Sequence, residues 1–293
     1  MSRLILLYCC LLIALPAWAA EIIFSSTAGN PAIQGFVNEL QQRRPHDQVS
    51  FVALNKLPAP SQLPDTNRLI LLDRPALDWR LTDPAGPPSL GMRISRIQAR
   101  DLPATLPAQL SLLWSDPSPQ RQMRLARLLL PAAKRAGLLF DADSAFLLEE
   151  YRQAATEQDM RLVTRRWPDT RDSRPLLYLL SHSDLLLGIN DTSLFNSLTV
   201  KNLLLTSYTH QRPVIGPSAS FVQAGSLAST YSDQSDWLDS LEDILNQSPD
   251  RWPKYSYPGH FKVTSNPQVA RSLAIELPSN ESLAQKLAEG EQP

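Results

Sequence analysis

Short apolar runs alternate with amphipathic stretches along this chain, and the alternation occurs in two successive series. In the first, Glu21 to Ser25 reads as a buried strand. Ile33 to Gln42 reads as a helix with Ile33, Phe36, Val37 and Leu40 on one face. Val49 to Leu54, Arg68 to Leu72, Gly91 to Ser95 and Leu110 to Trp114 are further strands, and Gln120 to Leu130 is helical. In the second, strands at Ala136 to Phe140, Met160 to Arg165, Leu185 to Ile189, Pro213 to Ile215 and Leu227 to Tyr231 are expected. They alternate with helices at Asp143 to Ala155, Asp172 to Ser181, about Leu194 to Thr209 and Ser235 to Leu245. Gly259 to Asn266 suggests a late strand and a crossover. A βαβα rhythm repeated in this way predicts an α/β protein of two doubly wound parallel sheets, with helices on both faces.

Composition narrows the class. Among 293 residues there are 25 prolines and only 10 glycines, 43% are hydrophobic, 19% are charged, and the net charge is −1. A collagen-like or disordered chain, a coiled coil and a polybasic nucleic-acid binder are all excluded. Scarce glycine also argues against glycine-rich phosphate loops. Proline concentrates in Leu57 to Pro64 and Asp83 to Pro88, where irregular connections replace helices and the first half is expected to be trimmed.

The first twenty residues carry one positive charge at Arg3, an apolar run from Leu4 to Pro16, and Ala17-Trp18-Ala19-Ala20 before Glu21. This is the pattern of a secretory signal peptide, with cleavage expected after Ala19 or Ala20. Both cysteines, Cys9 and Cys10, lie within it. The exported chain then has no disulfide and no thiol chemistry. Losing Arg3 takes the charge balance from 28 basic and 29 acidic residues to 27 and 29, a net charge of −2. A periplasmic location follows as the expectation.

Little in the chain suggests catalysis. The histidines, His46, His182, His210 and His260, lack the spacing of metal ligands, and no cofactor is implied. There is no G-x-S-x-G elbow and no H-E-x-x-H, and Glu149-Glu150 reads as a solvated helix face. More informative are the residues directly after the expected strands: Ser25-Ser26-Thr27, Asp73-Arg74-Pro75, Asp141 to Ser144, Asn190 to Ser193 and Pro217 to Ser220. In open α/β sheets ligands sit beyond the carboxyl ends of strands, near helix N-termini. Ser, Thr, Asp and Asn are also the ordinary N-caps, so any one segment is accounted for by capping alone.

Pro117-Ser118-Pro119-Gln120, Phe221 to Ser229 and Asn266 to Leu273, with other segments, resemble those of a bacterial family, the substrate-binding proteins of ABC-type transporters that include tryptophan and tyrosine binders. The resemblance begins at Pro117-Ser118-Pro119-Gln120, Leu130-Pro131 and Arg135 to Leu139, and continues through Asn190-Asp191-Thr192 and Arg212 to Ser218. It is most specific in Phe221-Val222-Gln223-Ala224-Gly225-Ser226-Leu227-Ala228-Ser229 and in Asn266-Pro267-Gln268-Val269-Ala270-Arg271-Ser272-Leu273. It spans about residues 109 to 288, roughly 60% of the chain. It implies a type I periplasmic-binding-protein fold: two Rossmann-like lobes, a hinge of crossing strands, and a ligand cleft between them. Lobe one would be 21–113 with about 232–250, and lobe two 114–231 with about 251–293.

The first lobe departs from that family. It is short, and its usual glycine-rich ligand loop and D-P-V segment are absent from the sequence. Asp73-Arg74-Pro75-Ala76 stands where a small-residue loop is usual, so a salt-bridging pair is expected to fill that space. Amino-acid specificity therefore does not carry over. The expected ligand contacts are Ser25, Ser26 and Thr27 from lobe one, and Asp143, Ser144, Asp191 and Ser218 from lobe two. Asp143 and Asp191 would accept from a ligand amine, and the hydroxyls and helix ends would hold a carboxylate. No catalytic residue is expected and the protein is read as a non-enzyme. Its partners would be a small-molecule ligand, amino-acid-like in one version, and an ABC permease or envelope receptor. No nucleic acid is expected, and membrane contact only through the partner. The alternatives are an envelope sensor or accessory protein with the same fold, or an exported hydrolase.

Overall fold

A computed structural model describes residues 21–291. The signal-peptide expectation, with Cys9 and Cys10, lies outside the described residues. Twelve strands form two six-stranded sheets among them. The first contains β1 (Glu21–Ser25), β2 (Gln48–Phe51), β3 (Arg68–Leu71), β4 (Ser89–Ile94), β5 (Leu110–Trp114) and β11 (Tyr255–Ser256), in the order β11-β5-β4-β3-β1-β2. The second contains β6 (Arg135–Phe140), β7 (Arg161–Arg166), β8 (Leu185–Leu187), β9 (Val214–Ile215), β10 (Ala228–Tyr231) and β12 (Lys262–Ser265), in the order β12-β10-β9-β8-β6-β7. All pairings are parallel except β10 with β12.

Ten helices fill the connections: α1 (Pro31–Arg43), α2 (Arg74–Leu81), α3 (Pro119–Leu129), α4 (Leu148–Glu157), α5 (Arg174–His182), α6 (Val200–Thr209), α7 (Ala219–Ala224), α8 (Gln234–Leu245), α9 (Pro267–Ser272) and α10 (Asn280–Glu289). This is the two-lobe, Rossmann-like architecture of periplasmic binding proteins.

The strand alternation divides the first lobe's core. Ile22 and Phe24 of β1 and Ile70 of β3 pack with Phe36, Val37 and Leu40 of α1 and with Leu238, Leu241 and Leu245 of α8. Ile23, Leu69 and Leu71 face the other way, onto Leu77 of α2 and onto Leu106. Central parallel strands buried on both faces need continuous apolar sequence, which is what makes them conspicuous. Each fully buried Leu or Ile contributes about 1.5–3 kcal/mol of transfer free energy. In the second lobe one cluster joins α3, α4, α5 and α10 to β6 and β8.

Several expectations need correction. The strand Tyr255–Ser256 pairs with Leu112 and Leu113 in the first sheet, whereas the sequence places about 251–293 in lobe two. Both sheets have six strands, so the first lobe's shortening falls on its connections. Only 3-10 turns at Leu54–Lys56 and Pro60–Gln62 link β2 to β3, and turns without a helix link β4 to β5. Asp73 and Arg74 do not pair with each other. Asp73 caps α2 by accepting from the Ala76 N–H at 3.0 Å, and Arg74 pairs with Asp78 at 2.7 Å and with Asp101 at 2.5 Å. The long helix expected from Leu194 begins only at Val200. His260 lies 2.7 Å from Asp243, exposed, a pairing that the linear spacing hides.

Arg80 explains how the proline-rich turn after α2 holds its shape. The guanidinium is fully buried, donating to Ser89 Oγ (2.8 Å) and to the carbonyls of Asp83 (2.6 Å), Gly86 (2.6 Å) and Pro87 (3.2 Å). The turn thus wraps a side chain instead of forming a helix. A Cβ on Gly86 would meet Pro60 Cβ at 2.7 Å and Arg80 Cζ at 2.9 Å, so the chain approaches too closely there for any other residue.

The two most specific sequence motifs pack together. Asn266 caps α9 by accepting from Gln268 and Val269 N–H. Its backbone N–H donates to Leu227 O (2.8 Å) and its side chain to Val222 O (3.2 Å). Their role is to join β12 and α9 to β10 and α7.

Candidate ligand cleft

The chain crosses between the lobes three times. It leaves β5 for α3 through Ser115 to Ser118, leaves β10 for α8 through Ser232 and Asp233, and leaves β11 for β12 through Tyr257 to Phe261. A cavity of about 140 Å³ sits at this junction. All three crossings line it, through Ser115 to Pro117, Tyr231 and Ser232, and Pro258. The second lobe adds Asn190 and Ser218 from beyond β8 and β9, and α8 of the first lobe adds Trp237. Ends of strands meet here because the carboxyl edges of both parallel sheets point toward the interface.

Asp116 is the cavity's charged acceptor. It accepts from the Arg96 backbone N–H at 2.6 Å and from the Asn190 side chain. Burial pushes its pKa above the ordinary value, and those two donors and the Arg96 charge offset the shift only in part. Arg121, also on the cavity wall, is already engaged. It donates to Glu291 (2.6 Å) and to Pro258 O (2.8 Å), and lies 3.7 Å from the Phe261 ring centroid.

The sequence-nominated residues divide into groups. Ser144 and Asp191 come together: the Ser144 hydroxyl donates to Asp191 Oδ2 at 2.6 Å, and Ser193 N–H donates to Oδ1 at 3.0 Å. Both Ser144 and Asp191 are buried, so these bonds tie the turns after β6 and β8 to each other. Asp143 is half exposed and faces Arg100 of the other lobe at 3.4 Å. Ser218 lines the cavity, its hydroxyl 2.8 Å from Ser220 Oγ. Ser25, Ser26 and Thr27 do not line it. Ser25 Oγ is buried without a partner, and Ser26 donates to Ala28 O at 2.9 Å. Thr27 donates to Asp73 Oδ2 through both its N–H (2.8 Å) and its hydroxyl (2.6 Å). Asp73 thus fixes the loop after β1 while it caps α2.

Sequence reasoning missed Asp116, Asn190 and Trp237. Asp116 lies two residues beyond β5, and Asn190 opens the run after β8 in which Asp191 was taken instead. Asp116 sits in a Ser-Asp-Pro run that reads as an ordinary turn. Trp237 is a helix residue with no local signal at all. Among the described residues no group of three or more His, Cys, Asp or Glu could hold a metal ion.

With this geometry in view, the chain can be set beside known proteins. No family model matches it, and no curated protein matches it. Solved structures do. A substrate-binding protein with adhesive properties from Clostridium difficile, in its ligand-free, open structure, aligns with a TM-score of 0.66 at 18% identity, covering 90% of this chain and 97% of that one. A Streptococcus pneumoniae ABC domain in complex with L-Trp aligns with a TM-score of 0.54 at 18% identity, covering 91% and 98%. A conserved domain protein from Vibrio cholerae gives 0.54 at 18% identity, covering 90% and 97%. The likeness is one of fold.

Proposed function

We propose that the protein is the periplasmic solute-binding component of an ABC-type import system, holding a small polar molecule between its lobes. The observation that carries this reading is the cavity of about 140 Å³ whose wall includes all three crossings and residues of both lobes. A ligand there touches the segments that must bend when the lobes move, so binding and lobe angle are coupled. The cavity is smaller than a drug-sized site, which suits a compact molecule of amino-acid size. The Asp116 carboxylate and the Trp237 ring favour an amine on that molecule, and Asn190 and Ser218 supply further polar contacts. Binding, and not catalysis, is the activity proposed. The periplasmic location rests on residues 1–20.

The test is a thermal-shift screen against amino acids, small amines and small organic acids. A ligand at one hundred times its Kd should add about 2.7 kcal/mol of stability. Ser218→Trp should fill the cavity and abolish the shift. Ligand stabilisation that survives Ser218→Trp would sink the site, and no shift from any compound would sink the reading.

A second reading is an envelope sensor or accessory protein with the same fold. It is favoured by the pairing of Arg100 with Asp143 across the lobes, on residues otherwise open to a ligand. Recovery of a receptor ectodomain instead of a permease in a cross-linked envelope preparation would decide for it.

A further inference from the structure

We propose that Arg96 is an intramolecular latch that fixes the angle between the lobes. The residue belongs to the first lobe, just after β4, where the strand is irregular. The β4–β5 register shifts between Met92 and Ile94, and Arg93 adopts φ 62°, a left-handed conformation uncommon for a non-glycine residue. This bulge redirects the chain so that the Arg96 side chain leaves its own lobe.

It is held from every side. Its backbone N–H donates to Asp116 in the first crossing at 2.6 Å. Its Nη1 donates to Glu150 Oε2 on α4 of the second lobe (2.6 Å) and to Tyr257 Oη in the third crossing (2.7 Å). Tyr257 in turn donates to Glu150 Oε1 at 2.8 Å, so the three side chains close a ring of hydrogen bonds. The guanidinium lies 5.3 Å from the ring centroid of Trp114 in the first lobe and 5.8 Å from that of Phe146 in the second. Both are within cation–π range.

Beside the latch a groove of about 420 Å³ stays open, walled by Trp114, Tyr255, Phe146 and Tyr257. The lobes are therefore not packed face to face along this flank. The Arg96 guanidinium spans the gap. Burial alone would lower the pKa of that guanidinium, but Tyr257 and Glu150 more than compensate and hold it above its ordinary value. The other cross-lobe pair on this flank, Arg100 with Asp143, is longer at 3.4 Å, and its side chains are 48% and 50% exposed. A pair so exposed contributes little. The latch, by contrast, is only 23% exposed on either side chain, its Nη1 holds Glu150 and Tyr257 together, and an aromatic ring from each lobe adds to it.

The lobe angle can be read without a ligand, so this proposal stands or falls independently of the cavity. Spin labels at Ala32→Cys on α1 and Lys201→Cys on α6, with Cys9 and Cys10 replaced by serine, report the distance between lobes by pulsed electron–electron double resonance. The parent should give one narrow distance peak. Arg96→Gln and Glu150→Gln should each broaden it and add a longer component, while Arg100→Gln leaves it as in the parent. The charge swap Arg96→Glu with Glu150→Arg should recover part of the narrow peak. Circular dichroism establishes folding of each variant; should Arg96→Gln fail to fold, Glu150→Gln and Phe146→Ala decide. A folded Glu150→Gln with the parent distribution would overturn the latch, as would Arg100→Gln producing the same broadening.

Discussion

The Ser144 hydroxyl donates to the Asp191 carboxylate at 2.6 Å, across 47 residues of chain and with both residues buried. Removing that hydroxyl leaves one oxygen of a buried carboxylate without its donor. Ser144→Ala should therefore cost about 1–3 kcal/mol. Urea unfolding should show the loss as a lower midpoint with an unchanged slope. A change below a few tenths of a kcal/mol would mean that water replaces the donor.

Asp116 gives stability a particular pH dependence. Its folded pKa is raised above the ordinary 3.8, chiefly by burial. Between those two values the folded state binds more protons than the unfolded chain. The Asp116 contribution to stability is then largest at acid pH and falls as pH rises from about 3.8 through the raised value. Asp116→Asn keeps an acceptor for the Arg96 N–H and should remove this fall. Melting temperatures of both proteins across that range check the difference, which should open with increasing pH in favour of the asparagine variant.

Arg80 should be intolerant of substitution. Replacement by Ala removes four hydrogen bonds and leaves the buried Gly86 carbonyl and the half-buried Asp83 carbonyl without that donor. The expected cost is about 3–5 kcal/mol, similar to breaking a buried pair. Arg80→Lys should recover little, because one ammonium cannot reproduce a planar fork with three directions of donation. Gly86→Ala should also destabilise, through its contacts with Pro60 and the guanidinium. Chemical denaturation of the three variants orders them.

Glu291 supports a cavity-wall side chain. Glu291 pairs with Arg121 at 2.6 Å, and Arg121 is only 3% exposed. Deleting residues 291–293 leaves that guanidinium with Pro258 O and the Phe261 ring. A loss of about 3–5 kcal/mol is expected. Glu291→Gln should fall between the truncation and the parent, by calorimetry.

The sheets were legible because their central strands are buried on both faces. Leu110 to Trp114 shows this best: all five residues are buried, and the apolar run coincides with the strand. The two-residue strand Tyr255–Ser256 has no such run, since half of Tyr255 is exposed and its partner β5 is far away in sequence. Helix α2 was concealed by Pro75 and by a short, weakly amphipathic stretch between two prolines-and-turn segments. Of the cleft, the turns after β8 and β9 were foreseen through the strand-end rule. The roles within them were not. Asp191 reads as a free acceptor until Ser144 is placed beside it, and Asp116 and Arg96 gain their meaning only from contacts between lobes. Such contacts leave no local periodicity to detect.

Three crossings also order the events of folding. The first sheet receives its edge strand only when Tyr255 and Ser256 have been made, and its helix α8 arrives scarcely earlier. Neither half of the gene encodes a complete lobe. Until β11 and α8 are in place, the edge of β5 is unpaired and α1 alone covers Ile22 and Ile70, so the partly folded first lobe must be kept from other chains. Co-expressed halves cut between β5 and α3 should be insoluble apart, and a circular permutant that joins all first-lobe segments should escape that interval.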